Sequence, residues 1–150
     1  MFKIGGCAFK LEVHIIISIA VSSVAYLVFK SYEVAISVLL AGIFIDLDHL
    51  FDYFMDVKKI TFGFSDFFYR LNEARLKKVY VLLHSYEVLA VFTFIVIKLK
   101  TPILLGAYIG VLTHFMADIM CWRAYFYSYS LIYRASVRFD TKKIFNLAGE

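Results

Sequence analysis

A chain of 150 residues has room for one domain. With 62% of its residues hydrophobic and a mean hydropathy of +0.77, it lies well beyond the roughly 45–50% apolar usage of soluble globular domains, which excludes a soluble reading. The net charge of +4 and pI near 9.0 do not indicate nucleic acid, because the basic residues flank apolar runs instead of gathering on one polar face.

In chain order, four apolar segments stand out, at residues 11–29, 34–55, 79–97 and 102–122, each near the 17–25 residues that cross a bilayer as a helix. They predict an all-α fold: a four-transmembrane-helix antiparallel bundle occupying residues 1–150 as a single domain. The first segment follows Lys3 and Lys10 and contains Ser23-Val24-Ala25, the ingredients of a signal peptide, but His14 inside its core argues that it stays as a span. Ser18, Ser22 and Ser23 on that segment read as close-packing positions. Lys30 to Glu33 is a tight turn, and Lys98 to Thr101 is another, with Pro102 opening the fourth helix. The longer Asp56 to Lys78 connection is expected to hold an interfacial helix, capped by Ser65, with Phe64, Phe67, Phe68 and Leu71 on the membrane surface. The residues from Tyr125 onward are similarly aromatic and basic. Cys7 and Cys121 are too few and too far apart for a disulfide framework and read as free thiols.

Lysine and arginine set the orientation. Lys3, Lys10, Lys58, Lys59, Arg70, Arg75, Lys77, Lys78, Arg123, Arg134, Arg138, Lys142 and Lys143 fall on one side of the predicted spans, and only Lys30, Lys98 and Lys100 on the other. The positive-inside rule then places both termini and the middle loop in the cytoplasm, in a multi-pass protein of the inner (plasma) membrane.

The polar residues inside the spans converge in depth. His14 lies four residues past Lys10, and His84 and Glu87 lie six and nine past Lys78; Asp52 and Asp48 precede Lys58 by six and ten, and Asp118 and His114 precede Arg123 by five and nine. At about 1.5 Å per residue, all sit roughly 6–15 Å from the cytoplasmic ends. Asp46, Asp48, Asp52, Glu87 and Asp118 share spans that contain no Lys or Arg, and unpaired they would cost on the order of 15 kcal/mol. Protons, water or metal cations must offset them. All four histidines, His14, His49, His84 and His114, share the layer, and imidazole with carboxylate suits zinc, manganese or iron. We therefore expect one or two divalent ions, zinc first.

Spacing supports this where helices are expected. His114 and Asp118 are i and i+4, His84 and Glu87 are i and i+3, and Asp48, His49 and Asp52 share an arc of about 100°. Asp46 turns away from that arc, so it marks either the rim of the site or an irregular helix. Asp52 and Glu12 read as ordinary residues near the interface, Ser85 as hydrogen-bonding support, and Cys121 as a buried inert thiol.

The series His14, Ile45-Asp46-Leu47-Asp48-His49, Leu83-His84-Ser85 and Thr113-His114 with Asp118 resembles the membrane-bound metal-dependent hydrolase family of bacteria and archaea, itself similar in metal-ligand pattern to zinc-dependent phospholipase C. The resemblance covers residues 11–122. Two departures stand out: Ile45 replaces the family's proline, and Val79, Tyr80 and Val81 replace the His-Arg-Gly ahead of His84-Ser85, removing a ligand candidate and a phosphate-binding cation. The resemblance implies hydrolysis of an ester or phosphodiester in a lipid-like substrate at the cytoplasmic side. It implies His14, Asp48, His49, His84, His114 and Asp118 as metal ligands, with Glu87 or Asp46 as catalytic base or further ligand. Membrane lipid and a small or lipid-like substrate are the expected partners, pairing with a second copy is an option, and nucleic acid is not expected. The alternatives are a metal-ion or proton transporter subunit using the same layer, and a structural adaptor stabilised by metal.

Overall fold

The computed structural model describes residues 11–58, 63–72, 76–121 and 125–145, leaving Lys3, Cys7, Lys10, Lys59, Arg75 and Arg123 outside, along with the side chains of Leu71 and Cys121. Its regular elements are helical: α1 (Leu11–Phe29), α2 (Tyr32–Phe44), α3 (Leu47–Val57), α4 (Phe64–Asn72), α5 (Tyr86–Leu99), α6 (Pro102–Cys121), a 3₁₀ turn (Phe126–Tyr129), α7 (Leu131–Ser136) and α8 (Thr141–Ile144). Local chemistry sets several boundaries. Lys30 turns left-handed at φ 52, and Ser31 then caps α2 by accepting from the Val34 N–H at 3.3 Å. Left-handed Lys100 ends α5, and Thr101 accepts from the Leu104 N–H just ahead of the turn that Pro102 begins.

Three stretches are long and apolar enough to cross a membrane: Glu12–Phe29, Tyr32–Val57 and Pro102–Met120. The second is bent. The helix tightens where the Asp48 N–H reaches the Ile45 carbonyl and the His49 N–H reaches the Asp46 carbonyl at 3.1 Å, both three-residue closures that separate α2 from α3.

The expected helix over residues 79–97 is shorter than its hydropathy suggests. Residues 79–85 are not helical, Val81 has φ 38, and α5 begins only at Tyr86 and spans 14 residues. The cause lies in competing acceptors. Asp52 takes the backbone N–H groups of Tyr80 (2.9 Å) and Val81 (3.2 Å), Asp48 takes that of Leu83 (2.9 Å), and Ser85 caps α5 through Val88. The Leu83 N–H, which would have bonded the Val79 carbonyl in a helix, is given to Asp48, and the N–H groups of Tyr80 and Val81 are held by Asp52.

α2 lies against both α6 and α1, with its closest packing to α6. Small residues allow that approach: a side chain on Gly106 would strike the Val34 carbonyl, one on Gly110 would meet the Gly42 nitrogen at 2.9 Å, and one on Gly42 would strike Ser18. Ser18 is buried and Ser22 donates to the Ala35 carbonyl at 2.7 Å, as close-packing positions do; Ser23 bonds only within its own helix, to Ile19.

A second core forms where α3, α4, the 76–81 segment and α8 meet, around Tyr53, Phe67, Leu76, Val79, Val81 and Ile144. It changes the reading of the middle connection. α4 starts at Phe64, which puts Ser65 inside its first turn, and Phe67 is 6% exposed and packs on the Tyr53 ring while Phe64 stays 71% exposed. Asp66 ties the two helices, accepting from Tyr53 and Arg70 at 2.9 Å each.

Candidate metal centre

Five parts of the chain meet at one end of the α1–α2–α6 packing. α1 brings His14, the turn between α2 and α3 brings Asp46, α3 brings Asp48 and His49, the 79–85 segment brings His84, and α6 brings His114 and Asp118. Asp46 Oδ1 lies 3.1 Å from His114 Nε2, 3.5 Å from His84 Nε2 and 3.8 Å from His49 Nε2. Asp118 faces the same space, with Oδ2 at 3.4 Å from His84 Nε2 and 3.5 Å from His114 Nε2, and Oδ1 at 3.3 Å from His14 Nε2. The His14 and His114 rings stack at 4.1 Å. His114 and Asp118 share a face of α6 as their spacing requires, and Asp46, at the interruption between α2 and α3, is buried against His114 and His84, which settles its ambiguous position in favour of an irregular helix.

The hydrogen bonds behind two of the rings determine what their front atoms are. His114 Nδ1 lies 2.7 Å from the Gly42 carbonyl, which can only accept, so Nδ1 carries the proton and Nε2 turns toward Asp46 and Asp118. Asp48 plays the same part for His84: its carboxylate faces Nδ1 at 3.2 Å and leaves Nε2 aimed at the same two aspartates. The Nε2 atoms of His84 and His114 and both oxygens of Asp46 are buried with no hydrogen-bond partner among the described residues. A lone pair facing a carboxylate in a buried site is repulsive unless a cation sits between them. Metal–ligand bonds of about 2.0–2.1 Å at a tetrahedral ion put neighbouring ligand atoms about 3.3–3.4 Å apart, and the close contacts here run from 3.1 to 3.5 Å. The residues fit a divalent ion, with three overlapping groups able to hold one: His14 with His114 and Asp118, Asp46 with His84 and His114, and Asp48 with His49 and His84.

Glu87 is not brought to this cluster. Its carboxylate accepts from Ser130 Oγ (2.7 Å) and from the N–H groups of Leu131 (2.8 Å) and Ile132 (3.1 Å), at the start of α7. The reason is the late start of α5: with residue 84 outside the helix, the i, i+3 relation that would have put Glu87 beside His84 does not exist. Asp52 departs from its ordinary reading in the opposite sense. It is 1% exposed, and while Oδ2 holds the Tyr80 and Val81 N–H groups, Oδ1 has no hydrogen-bond partner among the described residues.

Sequence reading also missed Arg134. It comes from α7, is 2% exposed, and donates to the carbonyls of Tyr80, Val81 (2.7 Å) and His84. Burial pushes its guanidinium below its ordinary pKa, while Asp48, Asp52 and Glu87 pull it back up. A cation absent from the 79–81 positions thus reaches them from the tail; its sequence signal was an arginine alone among the aromatic, aliphatic and small residues of 125–137. Next to the cluster lies a cavity of about 70 Å³, enough for more than one water. Its lining includes His49, His84 and Asp118 from the cluster, together with Asp52, Leu76, Val79, Val81, Arg134, Ile144 and Phe145.

Comparison of this chain with protein-family models, with curated proteins and with solved structures returned no match.

Proposed function

We propose that this chain is a multi-pass membrane protein with a divalent-metal centre that hydrolyses an ester or phosphodiester in a lipid-like substrate. The observation that carries the reading is the set of buried atoms on Asp46, His84 and His114 that face one another at 3.1–3.5 Å with no hydrogen-bond partner among the described residues, converging beside a cavity. In this proposal His14, Asp46, His84, His114 and Asp118 hold the ion, and Asp48 orients His84. The ion, zinc first and manganese or iron as alternatives, supplies Lewis-acid activation of a water. Asp52, with an oxygen left over on the cavity wall, takes the proton, and Leu76, Val79, Val81 and Ile144 hold the apolar part of the substrate.

The topology belongs to the same proposal. α5, together with the 79–85 segment, makes a fourth crossing, because an even number of spans is what the one-sided distribution of Lys and Arg requires. Irregular backbone at membrane depth is tolerated where its polar groups find partners, and in 79–85 Asp48 and Asp52 hold the N–H groups of residues 80, 81 and 83 and Arg134 the carbonyls of 80, 81 and 84, while Leu82 and Leu83 stay exposed. α4 lies at the cytoplasmic interface with Phe64 toward lipid.

The test uses purified full-length protein in detergent. Elemental analysis should find a divalent transition ion in wild type and much less in Asp118→Asn, and cleavage of phospholipids or chromogenic phosphodiesters should stop with chelator and in that variant. Equal cleavage by wild type and Asp118→Asn would mean a contaminating hydrolase and overturn the enzyme reading. Metal-dependent ion flux in sealed vesicles without any cleavage would replace it with the transporter.

A further inference from the structure

The tail grips the segment that carries His84 at three places. Arg134 Nη1 donates to the Tyr80 and Val81 carbonyls, and Nη2 donates to those of His84 and Tyr129. Glu87, two residues past Ser85, receives the first N–H groups of α7. Backbone bonds add a third tie, Val79 N–H to the Phe139 carbonyl at 3.0 Å and Thr141 N–H to the Lys77 carbonyl at 3.3 Å.

A non-helical segment has no internal ladder to fix its peptide planes, so partners from outside must do it. Here they come from opposite sides and with opposite charge. Asp52 and Asp48 hold the N–H groups of residues 80, 81 and 83, while Arg134 holds the carbonyls of residues 80, 81 and 84. The last of these carbonyls belongs to His84 itself. A guanidinium spreads its donors over separate nitrogens in a planar fork, as Nη1 and Nη2 do here, whereas a lysine ammonium carries all three donors on one nitrogen.

We propose that Arg134 is a positioning residue of the metal centre: by fixing the peptide planes around His84 it keeps Nε2 directed at Asp46 and Asp118, so that tail docking and ion binding strengthen each other. This rests on the metal-centre reading above. Coupling of this kind is reciprocal, so whatever docking of the tail contributes to ion affinity, the ion returns to docking of the tail.

Two measurements on the full chain in detergent test it, with zinc as the probe. In chelator competition, Arg134→Met should bind zinc roughly 10- to 100-fold more weakly than wild type, the usual loss when a partner behind a ligand is removed. Arg134→Lys should recover only part of that, and Lys142→Met, at an exposed position of the same tail, should bind as wild type does. The second measurement needs no variant: amide exchange of residues 130–145 in wild type should be slower with zinc than after chelation. A folded Arg134→Met with wild-type zinc affinity would overturn the proposal, and so would tail exchange that ignores zinc in a protein shown to bind it; if Arg134→Met does not fold, the exchange result decides alone. Wild type that takes up no zinc at all would overturn the metal centre itself, a result distinct from the other two.

Discussion

Replacing Asp46 by asparagine separates a metal centre from a buried network of shared protons. The carboxylate touches the cluster at His114, His84 and His49, and both of its oxygens are buried with no hydrogen-bond partner among the described residues. If an ion fills the space, Asp46 is one of five side chains holding it. Structural zinc sites bind with about 10–16 kcal/mol, so one ligand in five accounts for about 2–3 kcal/mol, or roughly 30- to 150-fold in affinity. Without metal the sign reverses. The variant loses a buried anion that nothing neutralises, and its metal-free form should be more stable by about 1–3 kcal/mol. The assay is zinc affinity by chelator competition, paired with thermal unfolding of the metal-free protein in the same detergent. Wild-type affinity in Asp46→Asn would refute the ligand assignment. Metal-free stability that falls would show that Asp46 is held by protons from the surrounding imidazoles.

Asp48→Asn keeps an oxygen for the Leu83 N–H but loses the charge behind His84 Nδ1, so zinc affinity should fall by roughly tenfold, less than for Asp46→Asn; a loss as large as that of Asp46→Asn would make Asp48 a direct ligand. Reporter fusions placed after Ser31 and after Glu150 should report opposite sides of the membrane, and the same side for both would remove the four-crossing topology.

Much of the site was legible from where ionisable residues fall along apolar runs. His14, His114 and Asp118 needed only helical spacing and a count from the ends of their helices, and both helices run as expected, over Leu11–Phe29 and Pro102–Cys121. Asp46 was legible as an anomaly, since a straight helix would have turned it about 160° from Asp48; what could not be read was the break in the helix, which depends on two tightened closures with no proline or glycine inside them. The 79–85 segment was misread because Val79 to Leu83 are as apolar as any span. Its conformation is set by Asp48 and Asp52, about thirty positions earlier, and by Arg134, about fifty later, and hydropathy carries no information about such partners. Glu87 followed from the same error. The Gly106 and Gly110 spacing on the sixth helix was available as a close-packing signal and was not used.

That spacing also bears on which ion fits. Gly110 lies one turn before His114, and Gly42 one turn before Asp46, and at this level the backbones of α6 and α2 touch with no side chain between them. Two candidate ligands are therefore mounted on main chains that cannot come closer, and that are tied across the gap by the bond from His114 to the Gly42 carbonyl. Calcium needs oxygen ligands at about 2.3–2.6 Å and six to eight of them. To accept it, the helices would have to separate and give up that bond, whereas ions that bind at about 2.0–2.2 Å leave the contact in place. If an ion binds here, the glycine contact and the bond from His114 to the Gly42 carbonyl together would favour a small transition ion over a wider one.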